Sequence, residues 1–413
     1  MNLEFDVAVA GGGPAGMMAA ASAAKLGART VLLEKNAKLG RKLMITGKGR
    51  CNVCNQCDSQ SFIESVPGNG RFLYSAIHRF SPRDTMEYFE DLGVPLKTER
   101  GNRVFPVSDR ASDIVDAMKK DVEASGVSVL QENVKALIIE EGAVGGVKTD
   151  SGKRIQSASV IVACGGLSYP GTGSTGDGYR LAKQAGHTII PTRPSLVPLV
   201  CREAWCRELQ GLSLRNIAIQ VIDRELGKEV YQDFGEMLFT HFGVSGPVIL
   251  SASAHMRSFA PERYEIHIDL KPGLTFEQLD LRLQRDFQKF QNRDFSNSLH
   301  ELLPKKLIPV AVELSGIPGE KKCHQISRQE RLEFGKLLKS LTVTVSAFRP
   351  IEEAVVTSGG VAVNEISPKT MESKLVKGLF FAGEVLDVDA YTGGFNLQIA
   401  FSTGYLAGNS IWG

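Results

Sequence analysis

The chain has no excess of either charge: 48 Lys and Arg stand against 46 Asp and Glu over 413 residues, a formal charge of +2. No long block of one sign occurs, so nucleic acid is not expected as a main partner. No apolar run reaches the length of a membrane span, and Glu4 and Asp6 stand where a signal peptide is basic. A membrane partner is therefore not expected, and a cytoplasmic location is. Seven cysteines, an odd number without an export signal, exclude a disulfide framework. Cys51, Cys54 and Cys57 form C-x-x-C-x-x-C, but an iron–sulfur pattern wants a fourth thiolate and the next cysteine is Cys164. Free thiols are expected there, and no metal. Length, 43% apolar residues and 23% charged residues allow two or three soluble domains, with no oligomeric state assigned.

What is present begins at the first strand. Phe5-Asp6-Val7-Ala8-Val9-Ala10 leads into Gly11-Gly12-Gly13-Pro14-Ala15-Gly16 and an alanine-rich run to Leu26. Gly11, Gly13 and Gly16 stand in the G-x-G-x-x-G register of a dinucleotide-binding βαβ unit. The first permits the turn, the second lets backbone approach a pyrophosphate, and the third lets helix and strand pack closely. The phosphates would lie at the helix N-terminus, where free N–H groups and the dipole favour negative charge. A second strand, Thr30-Val31-Leu32-Leu33, ends in Glu34, placed to accept hydrogen bonds from a ribose. A plain glycine turn in an ordinary α/β protein does not explain these features jointly. An ADP-containing cofactor is expected.

Lys35 and residues 36–42, with Gly40, Arg41 and Lys42, read as a basic loop, followed by Thr46-Gly47-Lys48-Gly49-Arg50-Cys51-Asn52. A second glycine- and arginine-rich loop suits FAD, whose flavin extends beyond the first helix; a solvated basic loop is the alternative. Helical spacing over 71–92 is divided by Pro82, a hairpin surrounds Gly101-Asn102, and a helix covers 111–124. Short strands are expected at 127–130, 134–140, 144–149 and 154–157. A separate buried strand, 160–162, ends in Ala163-Cys164-Gly165-Gly166. The glycine- and hydroxyl-rich 171–178 before a helix at 179–185 reads equally as an anion cradle or a capping loop. Gly142-Ala143-Val144-Gly145-Gly146 lacks the third glycine and a following helix, so no separate NAD(P)H domain is expected.

Pro191, Pro194 and Pro198 mark a change to short strands, and 276–340 is polar and helical. His241, in Phe239-Thr240-His241-Phe242-Gly243, is either a catalytic acid/base or structural. Near the end, Leu379-Phe380-Phe381-Ala382-Gly383-Glu384, then Asp387 and a Gly393-Gly394-Phe395-Asn396-Leu397 helix start, suit closure of an FAD site. The acid would bind ribityl hydroxyls, and the helix N-terminus would face the flavin N1/C2=O edge.

Together these motifs resemble the BaiN/YhiN-like FAD-dependent oxidoreductases. The resemblance rests on residues 11–16, 40–42, 47–52, 173–178, 239–247, 357–361 and 383–398, with Cys51-Asn52 in the family's Arg-Cys-Asn signature. It implies an α/β fold: a Rossmann-like FAD domain of the two-dinucleotide-binding type (1–190 and 349–413), interrupted by a β-barrel-like domain (191–275 and 341–348) with a helical subdomain (276–340). It also implies a cofactor site taking in Pro14, Ala15 and Val134 besides the residues named above. Family members act on small or alicyclic substrates, including unsaturated bile-acid ketones and an aminoketone.

The expectation is thus an oxidoreductase with non-covalent FAD, transferring hydride at flavin N5 to or from a small molecule. NAD(P)H would be a transient reductant, or oxygen the electron acceptor. Flavin-dependent RNA modification, and a redox carrier or sensor acting through Cys51, are the readings of other classes.

Overall fold

A strand covered on both faces needs apolar residues without alternation. The first strand, β1 (Asn2–Ala10), meets this: Val7, Ala8, Val9 and Ala10 are fully buried. Its partners are β2 (Thr30–Leu33) on one side and the strand Arg154–Val162 on the other, both parallel. The computed structural model describes residues 2–256 and 258–412. Helix α1 (Pro14–Lys25) joins β1 to β2, with Gly13 at its N-cap and Pro14 in its first turn.

The sheet runs Ser128–Leu130, β2, β1, Arg154–Val162, Ala143–Thr149 and Val134–Glu140, with Leu379–Phe381 paired beside Val160–Val162. The two strands expected at 154–157 and 160–162 are one. Its first half alternates exposed and buried and pairs antiparallel with Ala143–Thr149; its last four residues are wholly buried among parallel strands. A strand that passes from a one-sided to a two-sided environment changes its pattern midway, and reads from sequence as two.

Contacts within the chain define one unit of Met1–Ser195 with Pro350–Gly413 and another of Leu196–Arg349. Ile189–Ser195 is a strand of the first unit, paired antiparallel with Val356–Val361, although it contains Pro191 and Pro194. Among the described residues its only partner strand is Val356–Val361, and prolines are tolerated in such edge positions. The change of unit therefore falls inside the proline cluster, between Pro194 and Pro198.

The second unit holds a closed, antiparallel six-stranded barrel: Leu199–Cys201, Gly243–Ser245, Lys228–Phe239, Ser213–Asp223, Tyr264–Asp269 and Leu341–Phe348. Helices enter between its last two strands. Phe276–Lys289 and Arg328–Lys339 both start on capping boxes, Thr275 with Gln278 and Ser327 with Glu330. Among the described residues no helix is long and apolar enough to cross a membrane.

In the first unit, His187 is fully buried, its Nδ1 3.0 Å from Glu365 and its Nε2 2.8 Å from the Ser373 hydroxyl. Ser373 Oγ already accepts from Leu375 N and Val376 N, so its own proton points at Nε2 and the ring is neutral with Nδ1–H. Burial, outweighing Glu365, holds the imidazole below its ordinary 6.5. Unfolded chain then binds the proton first, so stability is full above 6.5 and falls as pH drops towards the depressed value. Urea midpoints should decline over that window in the parent and less in His187→Gln; parallel declines would show that other groups set the slope.

Candidate cofactor site at the carboxyl edge of the parallel strands

Register brings the expected residues to one edge. Ala10 pairs with Leu33 and with Val162, and Val162 pairs with Phe381. The next residues, Gly11, Glu34, Ala163 and Ala382, therefore leave the sheet side by side. In open α/β sheets ligands bind outside these strand ends.

At the turn after β1, Gly11 has φ +107° and a Cβ there would lie 2.5 Å from the Ala163 carbonyl oxygen. A Cβ on Gly16 would lie 1.8 Å from the Gly11 carbonyl oxygen. No side chain caps α1 and no acid occupies its first turn, so its leading N–H groups remain open to an anion. Gly13 has nothing within 4 Å of a notional Cβ, so the cradle is open on that side. Helix α1 is held tightly from behind: Cβ atoms on Gly404 and Gly408 of the C-terminal helix, Phe395–Gly408, would each lie 2.4 Å from the carbonyl oxygens of Ala15 and Ala19.

Glu34 accepts from Gly12 N at 2.8 Å through one oxygen, and from Asn36 N and Nδ2 at 2.8 and 2.6 Å through the other. Three of its roughly four acceptor positions are used, leaving room for one ribose hydroxyl. Arg41 donates to Asn36 Oδ1 at 2.7 Å, and Gly40 N to Gly12 O at 2.9 Å. Lys35 pairs with Asp177 at 2.6 Å, and the helix that Asp177 opens carries Arg180, which donates to the Val134 carbonyl at 2.9 Å. The hydroxyl-rich loop before that helix spends Thr175 on Lys35 and Asp177. Cys164 Sγ donates to Ala10 O, and burial pushes its thiol up to about 12; Gly165 follows it, a Cβ there 3.3 Å from Ser174 Oγ.

Glu384 is the centre of a second group. It accepts from Lys42 Nζ (2.7 Å), Ser168 Oγ (3.0 Å) and Thr357 N (2.8 Å), while Lys42 also donates to Ser168. Gly383, just before it, bonds Thr403 of the C-terminal helix. Nothing in the sequence singles out Ser168, whereas Thr357 opens the 357–361 stretch of the resemblance. The Thr357 hydroxyl also accepts from Leu167 N and Ser168 N, and residues so far apart in the chain leave no spacing to read.

A third group surrounds the loop from Thr46. Thr46 O accepts from Cys51 N, and Gly47, Lys48, Gly49 and Cys51 all have positive φ. Arg50 turns away to Glu99 and Asp109 (2.6 Å) and lies 4.2 Å over the Phe105 ring, so its charge is already matched by carboxylates. Burial pushes the Cys51 thiol up to about 12 and the Cys57 thiol to about 11. A protonated, buried Cys51 is a poor nucleophile at neutral pH. Among the described residues no group of three or more His, Cys, Asp or Glu can hold a metal.

The C-terminal helix abuts this loop: its N-cap, Gly394, has φ +101°, and a Cβ would lie 2.3 Å from the Cys54 carbonyl carbon and oxygen. Asn396 clamps the preceding turn, accepting from Ala390 N and donating to Ala390 O and Tyr391 O. Leu397, beside it, is partly buried against the core. Asp387 is half-buried, and burial, with the neighbouring Asp389, raises its carboxyl above the usual range. His241 belongs to the second unit, exposed in the turn before Gly243–Ser245, its ring 4.9 Å from that of Phe242.

A family model, the HI0933-like protein Rossmann domain, matches residues 5–410. The chain belongs to this family. It is accordingly an FAD-dependent oxidoreductase. Among HI0933-like relatives, the 3-dehydro-bile acid delta(4,6)-reductase of Clostridium scindens is 30% identical, covering 98% of each chain. The ribosomal RNA dihydrouridine synthases of Escherichia coli and Haemophilus influenzae are 31% and 32% identical, over 99% and 100% of this chain and 98% and 99% of theirs. A solved 3-ketosteroid-delta4-(5alpha)-dehydrogenase of Rhodococcus jostii RHA1 shares the fold, with TM-score 0.55 and 17% identity, covering 99% of this chain and 97% of that one.

The family implies a flavin cofactor, and the residues fit it. The cradle at Gly11 and Gly16 has no room for side chains, and α1 offers uncapped donors. In addition, Asn52 Oδ1 is buried with no hydrogen-bond partner. An unpaired buried amide oxygen costs about 1–3 kcal/mol, which a bound donor would recover. Asn52→Leu should therefore raise, or leave unchanged, the melting temperature of flavin-free protein while lowering flavin retention on dilution. A variant that melts lower and holds flavin normally would make Asn52 part of the packing alone.

Proposed function

We propose that this enzyme reduces a carbon–carbon double bond conjugated to a carbonyl. FAD, when bound, supplies a hydride from N5, and NAD(P)H restores it. The supporting observation is the chemistry shared by full-length relatives otherwise unlike in substrate. A 3-dehydro-bile acid with 4,6-unsaturation presents a dienone, and uridine presents C5=C6 conjugated to the C4 carbonyl. In both, hydride adds at the β carbon, a proton adds at the α carbon, and the carbonyl carries the developing negative charge.

This chain's part is to hold the dinucleotide by the Gly11–Gly16 cradle and Glu34, to anchor the ribityl end at Glu384 with Lys42, and to present the uncapped C-terminal helix start. Among the described residues Gly142–Gly146 lies in and around the hairpin turn between Val134–Glu140 and Ala143–Thr149, not in a second nucleotide-binding unit, which supports transient NAD(P)H binding. His241 is the acid/base candidate in the second unit.

The test is anaerobic. Flavin-loaded protein is bleached with NADH or NADPH, then mixed with a steroidal enone or a uridine-containing RNA, and re-oxidation is followed at the flavin band. Re-oxidation by either acceptor, with the saturated product recovered, is expected. Failure with both, together with anaerobic bleaching by an amine, would establish an oxidase instead. Acid precipitation should leave the flavin in the supernatant, as for non-covalent FAD.

A further inference from the structure

Between Glu64 and Asp84 the chain has no acidic residue, yet carries Arg71, His78, Arg79 and Arg83. A 3-10 turn, Gly70–Leu73, runs directly into the helix Tyr74–Arg79. Leu73, Ala76 and Ile77 are buried, which leaves Arg71, Tyr74, His78 and Arg79 outside. Residues three apart eclipse in a 3-10 turn and residues four apart are neighbours in a helix, so Arg71, Tyr74 and His78 form one ridge. Tyr74 is 57% exposed, with its ring 4.3 Å from that of His78. Arg83 is paired with Glu87, whereas among the described residues neither Arg71 nor Arg79 has an ion-pair partner.

The ridge is fixed to the cofactor edge of its own unit. Asn69 Nδ2 donates to the Asp387 carbonyl at 2.8 Å and to its carboxylate at 2.9 Å. Tyr391 N donates to Ser65 O at 3.1 Å. Where the helix ends, Phe80 O accepts from Gln398 Nε2 (3.1 Å) and Ser402 Oγ (2.6 Å), both buried on the C-terminal helix. The exposed ring and the free cations thus ride on the helix whose first residues close the proposed flavin site.

We propose that this ridge and the adjoining Arg79 hold single-stranded RNA, with a base stacked on Tyr74 and phosphates on Arg71 and Arg79. This rests on the double-bond-reductase reading and selects RNA from its two substrate classes. A steroid-like ligand is recognised by enclosure in apolar walls, which an exposed ridge does not offer. A strand of RNA instead supplies a π-face for the ring and successive negative charges for the arginines. The near-neutral total charge is an average over the chain and does not cancel a local segment that carries arginines and no acidic residue of its own.

The experiment uses full-length, flavin-loaded protein and a fluorescein-labelled oligouridylate, with anisotropy measured over a range of salt. Tyr74→Ala should weaken binding about tenfold, while Tyr74→Phe, which keeps the stacking face, should bind like the parent. Arg71→Ala and Arg79→Ala should each flatten the plot of log K against log salt by about 0.7. Flavin content and melting temperature, unchanged in variants of exposed side chains, check the fold. The proposal is overturned if the parent does not bind at low salt or if all variants bind like the parent. It is equally overturned if heparin binds as tightly and Tyr74→Ala has no effect, the behaviour of a docking face for an acidic protein. Reduction of a steroidal enone in the same preparations separates the two levels. Enone turnover without RNA binding removes the ridge and leaves the reductase; RNA binding through Tyr74 with no double bond reduced does the reverse.

Discussion

Gly16→Ala is expected to empty the protein of flavin. The new Cβ would lie 1.8 Å from the Gly11 carbonyl oxygen, so α1 has to withdraw from the end of β1. It cannot move back easily, because Gly404 and Gly408 already hold the C-terminal helix against the backbone of Ala15 and Ala19. Overpacking of this kind costs about 1–3 kcal/mol in stability. The larger effect is on the cofactor: two charge-assisted hydrogen bonds to phosphate, at about 1.5–3 kcal/mol each, correspond to an affinity loss on the order of a hundredfold or more. The ratio of flavin to protein absorbance after desalting reads this directly. A variant that keeps its full flavin complement would show that the pyrophosphate does not lie in this turn.

The second large effect is expected at the other end of the cofactor. Reduced flavin carries negative charge around N1 and C2=O, and no lysine or arginine follows Lys377 in the sequence. On the proposed reading, the first N–H groups of the C-terminal helix compensate that charge, an effect of about 0.3–2 kcal/mol. Gly394→Ala would put a Cβ 2.3 Å from the Cys54 carbonyl at φ +101°, a backbone angle that side chains avoid. The helix start is forced away from the Cys54 segment, and Asn396 must drag the Ala390 turn with it. Flavin should still bind through the distant cradle, but its two-electron potential should fall by roughly 10–40 mV, since about 1.4 kcal/mol corresponds to 30 mV. Spectroelectrochemical titration measures the shift. An unmoved potential with normal flavin content would reduce this helix start to packing.

Gly16 and Gly394 both stand in glycine motifs that the amino-acid pattern marks, and Glu34 is marked by its place after a short apolar strand. The fold sets that carboxylate against Gly12 N. Other neighbours of the site are not marked in this way. Arg50 reads in the sequence as part of the cofactor loop, but Glu99 and Asp109, far along the chain, take its guanidinium. Thr357, which bonds Glu384 through its backbone N–H, is marked only as the start of the 357–361 stretch, and Ser168, whose hydroxyl donates to Glu384, carries no local signal at all. Nor does the ridge of Tyr74: a count of charges over the whole chain argues against RNA, and only burial shows which four side chains remain outside.

What the sequence by itself determined is whatever is local. The G-x-G-x-x-G turn, the alternation of strand and helix around it, the helix caps and the β-rich insert all follow from backbone sterics and apolar periodicity within a few residues. The tertiary structure decided what depends on distant partners. It joined 154–162 into one strand by giving its halves different neighbours. It carried Ile189–Ser195 into the first unit through pairing with Val356–Val361, and closed six strands into a barrel. It gathered Lys42, Ser168 and Thr357 around the Glu384 carboxylate. The physical reason is the same in each case: a hydrogen bond or a burial between residues far apart is settled by the register of the sheet, and register is a property of the assembled strands rather than of any one of them.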